Sequence, residues 1–186
     1  LDADELRGYM TRHSSGVKVL AAPFEPQLAE TISGGAVQRI LRVLRDSFPY
    51  VVVDGPASLN EHVLAALDET DECILMTSLD VPSIKNVKVS LQTLEQLGIG
   101  RNRIRLVMNR ADSKVGLNLS EVEKSLGTHI DVAVPSSRDV PLSVNQGTPL
   151  AIQNKRSPVI GAVAKLADMV VAESSKSSAK RFWGSR

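Results

Sequence analysis

Stretches of continuous apolar residues alternate along this chain with stretches in which apolar residues recur every three or four positions. The continuous runs, such as YVVVD at 50–54 and ECILMTS at 72–78, are typical of strands that are buried on both faces. The periodic stretches, such as the one that carries Val37, Ile40 and Leu44, are typical of helices with one apolar face. The alternation predicts an α/β fold in which helices cover both faces of a mostly parallel sheet.

The bounds of the predicted elements follow from these patterns and from the turn residues between them. The predicted strands span 17–23, 50–54, 72–78, 103–110 and 129–135. The predicted helices span 3–12, 33–44, 60–69, 82–98 and 119–126, and a last long helix starts at 157. Residues 1–172 are expected to form one domain, and residues 173–186 a basic, flexible tail.

Composition and charge narrow the class of protein. The chain has 186 residues, of which 42% are hydrophobic and 23% charged, and its formal net charge is +1. This balance gives no general case for binding nucleic acid or an anionic membrane. The single cysteine, Cys73, lies in an apolar run and is expected to be a buried core thiol. The tail is locally basic, and its Lys180 and Arg181 lie beside the aromatic residues Phe182 and Trp183.

Polar residues follow the predicted strands at their carboxyl ends, which is where parallel sheets of this class bind ligands. Asp54 ends one apolar run and is followed by Gly55 and Pro56. Its carboxylate either caps the next element or holds a charged group such as a magnesium ion. The corresponding residues after the later strands are Asp80, Asn109, Arg110, Pro135 and Ser136.

Four segments resemble, in order and spacing, the MinD/ParA family of P-loop ATPases. They are VVVDGPAS, LDETDECILMTSLDVPSIKNVKVSLQTLEQLG, RLVMNRAD and VPSSRDVPLSVNQGTPLAI. Together with the opening HSSGVKVLAAP, they are most similar to the CpaE/TadZ branch, which helps to place bacterial Flp/tad-type pili at a cell pole. The resemblance covers residues 1 to about 172 and implies the C-terminal portion of such an ATPase domain.

On this resemblance, Asp54 matches the Walker B aspartate, which orients Mg²⁺ through water beside the phosphates of ATP. Gly55 and Pro56 match the start of the switch II region, which senses the γ-phosphate. The resemblance therefore implies ATP and Mg²⁺ as cofactors, with Asp54 on the catalytic and metal side of the site.

The same resemblance implies an adenine contact in the second half of the chain. Asn109 and Arg110 match the pair of residues that reads adenine, and an Asn amide can pair a donor and an acceptor with a base edge. Pro135 and Ser136 match the start of the loop that packs over the base. Without the resemblance, Asn109 is better explained as a turn residue after a strand, for which the Asn-x-x-Asp spacing of Asn109 and Asp112 is also natural.

A phosphate-binding loop is missing from the pattern. The chain contains no G-x-x-x-x-G-K-[ST] motif, and its richest glycine site, Ser33-Gly34-Gly35, has no closely preceding strand and no following lysine. Two explanations stay open: an ATPase whose first strand, P-loop and first helix precede Leu1, or a degenerate relative that binds nucleotide weakly or not at all. In both cases this chain alone is not expected to hydrolyse ATP.

The resemblance implies a protein that forms a homodimer through its nucleotide face in response to nucleotide. Its implied role is to localise a pilus secretion machine. The implied partners are that machinery or polar landmark proteins. A cytoplasmic location is expected, with peripheral contact at the inner membrane face or a cell pole through the tail, because cations and aromatic rings bind anionic lipid surfaces. DNA is not an expected partner, since Arg101, Arg103 and Arg105 lie near a predicted strand start. The alternatives are a non-catalytic scaffold of the same fold, or an ATPase that positions a septum or chromosome.

Overall fold

The structure of the protein is a computed structural model that describes residues 2–113 and 116–183, with side chains described up to residue 172 except at residue 26. The chain divides into two compact units, Leu1–Asp71 and Glu72–Arg186. Each unit has its own elements and its own buried side chains.

The first unit is mainly helical. Its helices are α1 (Ala3–Gly8), α2 (Pro26–Glu30), α3 (Gly34–Ser47) and α4 (Glu61–Glu69), and a small hairpin is made of β1 (Thr11–Arg12) and β2 (Lys18–Val19). Helix α3 packs against α1 and α4. The buried apolar side chains of this unit are Leu6, Leu44, Ala65 and Ala66.

Side-chain caps account for the starts of α1, α3 and α4. The Asp2 carboxylate accepts hydrogen bonds from the amides of Asp4 and Glu5 before α1. Ser33 and Asn60 are the N-caps of α3 and α4. Such caps satisfy the amides that have no partner inside the first helical turn.

Two strand predictions in the first unit are wrong. Residues 50–54 form no strand and Val52 is 90% exposed, since none of the described strands pairs with this segment. The strand predicted at 17–23 is reduced to the two residues of β2, which pair antiparallel with β1 and are exposed. The helix predicted at 3–12 ends at Gly8, since Thr11 and Arg12 already belong to the hairpin.

The second unit carries the parallel sheet. Its strands are β3 (Cys73–Ser78), β4 (Ile104–Asn109) and β5 (Val132–Val134), in the order β3-β4-β5 with both pairings parallel. Its helices are α5 (Val81–Gln96), α6 (Leu119–Leu126), α7 (Asp139–Asn145), α8 (Leu150–Gln153) and α9 (Pro158–Trp183), and a 3-10 turn lies at Arg101–Arg103. The predicted α/β fold with a parallel sheet is thereby confirmed.

At β4, helices cover both faces of this sheet, whereas Ile74 and Met76 of β3 are exposed. On one face Val107 and Val132 pack with Val159 of α9 and with its half-buried neighbours. On the other face Met108 packs with Leu79 and with Val122 of α6. Because neighbouring side chains on a strand point to opposite faces, a fully buried strand such as β4 is apolar at nearly every position.

Helix α9 continues to Trp183, into the segment predicted as a flexible tail. The side chains of Lys180, Arg181, Phe182 and Trp183 lie outside the described ones. Their predicted contact with a membrane or partner therefore stays a prediction. Within the described part of the chain, none of the helices has the length and apolar character needed to cross a bilayer.

Candidate functional site

The carboxyl ends of the three parallel strands lie side by side in the second unit. Ser78, the last residue of β3, is in register with Asn109, the last residue of β4, and Asn109 is in register with Val134, which ends β5. The residues that follow these strands therefore share one edge of the sheet. Asn109, Arg110, Pro135 and Ser136, which the sequence singled out separately, are brought together there.

Asn109 sits at the end of β4 and starts a tight turn. Its side-chain oxygen accepts a hydrogen bond from the amide of Arg110 at 3.0 Å. Arg110 has φ of 52°, in the left-handed region that non-glycine residues adopt uncommonly. The amide of Ala111 then donates to the carbonyl of Val134 at 3.0 Å, which keeps the chain beside β5. The turn holds Asn109 half-buried at the edge, with its amide nitrogen still available as a donor.

Asp112 ties this turn to the loop after β5. One of its carboxylate oxygens accepts a hydrogen bond from the amide of Ser136 at 2.7 Å. The pKa of Asp112 is lowered mainly by this backbone hydrogen bond and further by a hydrogen bond from the Ser136 hydroxyl, since both favour the charged form. The sequence interpretation did not single out Asp112 as a site residue. Its signal in the sequence is the Asn-x-x-Asp spacing, which by itself is typical of a turn.

The loop after β5 is ordered by its own polar contacts. The hydroxyl of Ser137 accepts a hydrogen bond from the amide of Asp139, at 3.1 Å, where α7 begins. The carboxylate of Asp139 in turn accepts a hydrogen bond from the Asn154 amide nitrogen, also at 3.1 Å. Pro135 is half-buried and Ser136 is exposed, so the loop presents a fixed backbone beside Asn109.

Asp80, the strand-end acid after β3, is used as a helix cap. Its carboxylate accepts a hydrogen bond from the Ser83 amide at 2.8 Å, at the first turn of α5. A carboxylate in this position also interacts favourably with the positive end of the helix dipole. The structure therefore gives Asp80 a local structural role at the same edge.

Asp54 belongs to the first unit and is exposed, together with Gly55 and Pro56, in a segment without regular structure. The suggestion that Asp54 caps the next element is wrong, because α4 begins at Glu61 and Asn60 is its N-cap, with 3.0 Å between the Asn60 oxygen and the Val63 amide. Across the described residues, no three or more His, Cys, Asp or Glu side chains come together as a group that could hold a metal. A magnesium ion at Asp54 would thus be coordinated by one carboxylate of the described residues and by water or phosphate oxygens.

The glycine-rich turn before α3 is occupied by a carboxylate of the protein itself. The amide of Gly34 donates to Oε1 of Glu61 at 2.6 Å, and a ring nitrogen of the adjacent His62 contacts the carbonyl of Ile32. A helix N-terminus is a ready place for an anion, and here Glu61 supplies it. This turn is therefore not a substitute for the missing phosphate-binding loop.

The remaining candidate groups have local partners. Cys73 is half-buried rather than fully buried, and burial raises the pKa of its thiol. His13 contacts the hydroxyl of Ser15, and His129 lies 3.7 Å from the carboxylate of Glu123. His13 is half-buried and His129 is exposed.

The arginines near the start of β4 are engaged within the protein. Arg101 donates to the Thr128 hydroxyl at 2.8 Å and to the Ile104 carbonyl at 2.9 Å. Arg105 pairs with Glu72, and both side chains are largely buried. These guanidinium groups therefore serve local contacts within the second unit, and the expectation about DNA stays a prediction.

Solved structures share this arrangement of elements. A ParA family ATPase from Chlorobium tepidum superposes with a TM-score of 0.84 at 21% identity, over 90% of this chain and 70% of that one. MinD of Pyrococcus horikoshii, solved with Mg-ADP, gives a TM-score of 0.75 at 17% identity, over 90% of this chain and 72% of that one. The chain has the MinD/ParA fold.

Sequence similarity points to the same group of proteins. The septum site-determining protein MinD of Thermotoga maritima is 24% identical over 128 residues, which cover 66% of this chain and 47% of the relative. MinD of Synechocystis is 24% identical over 144 residues, which cover 75% of this chain and 53% of the relative. No protein-family model matches the chain. The chain is thus similar to MinD proteins over part of its length, and it spans about half the length of the curated relatives that it matches.

Proposed function

We propose that this chain carries the adenine-binding edge of a MinD/ParA-type ATPase that works as a nucleotide-switched dimer. The observation that carries the proposal is the meeting of Asn109 and the loop at 135–138 at one edge of the parallel sheet. Ligands of such sheets bind at this edge. MinD of Pyrococcus horikoshii, a protein with this fold, was solved with Mg-ADP.

The chemistry of the edge suits a purine base. The Asn109 side chain offers a donor and an acceptor, and an amide of this kind can pair with the N6 and N7 positions of adenine. Pro135 offers a rigid apolar surface to one side of a flat ring, and the fixed amides of the following loop lie beside it. Arg110 is exposed next to Asn109 and supplies positive charge near the bound nucleotide.

We further propose that the phosphates and Mg²⁺ are held by Asp54 together with a P-loop from a segment outside this sequence. The free edge of β3 supports this proposal. Among the described residues β3 pairs with β4 alone, and on it Ile74 is 42% exposed and Met76 56% exposed. An open apolar strand edge is a favourable place for another strand. The superposed part makes up only 70% and 72% of the two solved relatives.

An assay of ATP hydrolysis by the 186-residue chain tests the proposal that the P-loop comes from a segment outside this sequence. Without a lysine-bearing P-loop, the transition-state charge on the phosphates lacks its main partner, so no turnover above background is expected. Purified chain should be assayed for phosphate release with ATP and Mg²⁺, next to the variant Asp54→Ala. Robust magnesium-dependent turnover that Asp54→Ala abolishes would contradict the proposed division.

We propose that the biological role is to localise a bacterial Flp/tad-type pilus assembly and secretion machine at a cell pole. This finer role rests on the similarity of the opening and strand-end segments to the CpaE/TadZ branch. A fluorescent fusion of the natural protein should form polar foci in a pilus-forming cell, and Asn109→Ala should disperse them. Diffuse wild-type fluorescence with normal pilus assembly would rule out this role.

A non-catalytic scaffold is the second candidate function. The observation that favours it is the Glu61 carboxylate bound at the Gly34 amide, which leaves the chain's glycine-rich turn closed to phosphate. Calorimetric titration of ATP and Mg²⁺ against the natural protein separates the two candidates. A scaffold gives no binding heat, whereas a nucleotide switch gives saturable heat that Asn109→Ala weakens.

A septum-positioning ATPase remains the third candidate, since the curated relatives include MinD proteins. One solved structure of this fold is a MinC:MinD complex, with a TM-score of 0.73 at 17% identity. Co-localisation of the natural protein with the division site, rather than with pili, would favour this candidate over the pilus role.

A further inference from the structure

Asp112 joins two loops that follow adjacent strands. Its turn follows β4, and the Ser136 amide that it binds at 2.7 Å follows β5. Another bond between the same segments runs from the Ala111 amide to the Val134 carbonyl at 3.0 Å. The bond from Ala111 to Val134 extends the backbone ladder of the sheet. The bond between Asp112 and Ser136 involves a side chain and lies beyond the strand ends.

The geometry of the turn directs Asp112 toward the neighbouring loop. Arg110 takes the left-handed conformation, and the Ser113 amide closes the turn on the Arg110 carbonyl at 3.1 Å. The carboxylate of Asp112 is exposed, so its bond to Ser136 is not imposed by burial. A charged acceptor makes a stronger hydrogen bond than a neutral one, which favours a loop position fixed by this contact.

We propose that Asp112 is a positioning residue that fixes the 135–138 loop beside Asn109, and so sets the affinity of this edge for an adenine nucleotide. This inference rests on the proposed function of the edge. Asp112 acts through Ser136 and does not itself touch the base. The competing role, direct contact of the carboxylate with the donors of a base, predicts a different response to substitution.

Two substitutions at Asp112 separate these roles. Asp112→Ala removes the acceptor for the Ser136 amide. Asp112→Asn removes the charge and keeps an oxygen that can accept the same hydrogen bond. A matched control is Asp68→Ala, since the exposed Asp68 carboxylate also accepts a hydrogen bond from another segment, from the Gln38 amide nitrogen at 3.0 Å.

The test measures binding of a fluorescent ADP, labelled on the ribose, together with the amide spectrum of the isotope-labelled 186-residue chain. Asp112→Ala is expected to move the Ser136 amide proton upfield and to weaken ADP binding about tenfold. Asp112→Asn is expected to keep most of the Ser136 shift and to bind ADP within about twofold of wild type. Asp68→Ala is expected to change neither quantity.

The outcomes distinguish this inference from the proposed function. If wild type and Asp112→Ala bind ADP with equal affinity, the inference about Asp112 is overturned and the proposed adenine-binding edge is not. If Asp112→Asn and Asp112→Ala weaken ADP binding equally and neither moves the Ser136 amide proton, Asp112 contacts the base directly. This outcome also overturns the inference. Wild type that fails to bind ADP overturns both the inference and the adenine-binding edge.

Discussion

The carboxylate of Glu61, at the first turn of α4, accepts a hydrogen bond from the Gly34 amide at the first turn of α3, with 2.6 Å between the two atoms. The same side chain fills the space that a side chain on Gly34 would need. A Cβ atom on Gly34 would lie 2.9 Å from both Cγ and Oε1 of Glu61. This contact joins α3 to α4 and explains why glycine occupies position 34.

Gly34→Ala is predicted to destabilise the first unit, because the Glu61 carboxylate must move and lose its hydrogen bond. The expected loss in unfolding free energy is roughly 1–3 kcal/mol, as for other hydrogen bonds to charged groups. Gly35→Ala is the matched control, since a Cβ there lies no closer than 3.8 Å to the nearest side-chain atom. Urea denaturation should show a loss for Gly34→Ala and little change or a small gain for Gly35→Ala. Equal effects at both glycines would contradict this explanation.

The bond between Asp112 and Ser136 makes a pH-dependent contribution to stability. Hydrogen bonds from Ser136 lower the pKa of Asp112 in the folded chain below the ordinary value of about 3.9. The contribution is therefore fully present above that ordinary value and is lost as the pH falls through the lower folded pKa. Unfolding free energies of wild type and Asp112→Asn, measured from pH 6 down to pH 2, should converge at the acidic end. A difference that stays constant with pH would count against the assignment.

The free edge of β3 is predicted to promote association between copies of this chain. Met76 is 56% exposed on that strand, whereas Met108 on β4 is 0% exposed. Met76→Lys should reduce light scattering at high protein concentration and change the unfolding free energy by less than about 0.5 kcal/mol. Met108→Lys, the buried control, should cost on the order of 3–5 kcal/mol. Unchanged scattering in Met76→Lys would refute the prediction.

The basic end of the chain is predicted to bind anionic vesicles weakly. Lys180 and Arg181 provide charge, and Phe182 and Trp183 provide apolar area for the interface. Deletion of residues 174–186 should abolish sedimentation with phosphatidylglycerol vesicles at low salt. A second variant with Phe182→Ala and Trp183→Ala should reduce it. Equal sedimentation with and without residues 174–186 would exclude a membrane role for this segment.

The sequence predicted the second unit better than the first. Strands β3 and β4 were predicted to within a residue or two, because both are apolar runs with a hydrogen-bonding partner. The run at 50–54 has the same composition and forms no strand, since a strand depends on a neighbour that the local sequence does not specify. The prediction at 129–135 was too long: at Asp131, just before β5, the backbone amide still donates to the Leu106 carbonyl, but the Leu106 amide is bound by the Asp131 side chain.

The candidate site was predictable only in part, because some of its contacts join residues that are far apart in the sequence. Asn109 and Ser136 were identified separately from their places after strands, and the parallel register brings their segments to one edge. Asp112 was missed because its role depends on a contact across 24 positions of the sequence. Glu61 was missed because its partner, Gly34, lies 27 positions away.

Amide mapping of nucleotide binding tests the adenine-binding edge most directly. An isotope-labelled 186-residue chain should be titrated with ATP and Mg²⁺ while its backbone amide signals are followed. The account predicts saturable shifts concentrated at residues 109–113 and 135–138, which Asn109→Ala weakens. Absence of shifts at these residues, or shifts confined to other parts of the chain, would contradict it.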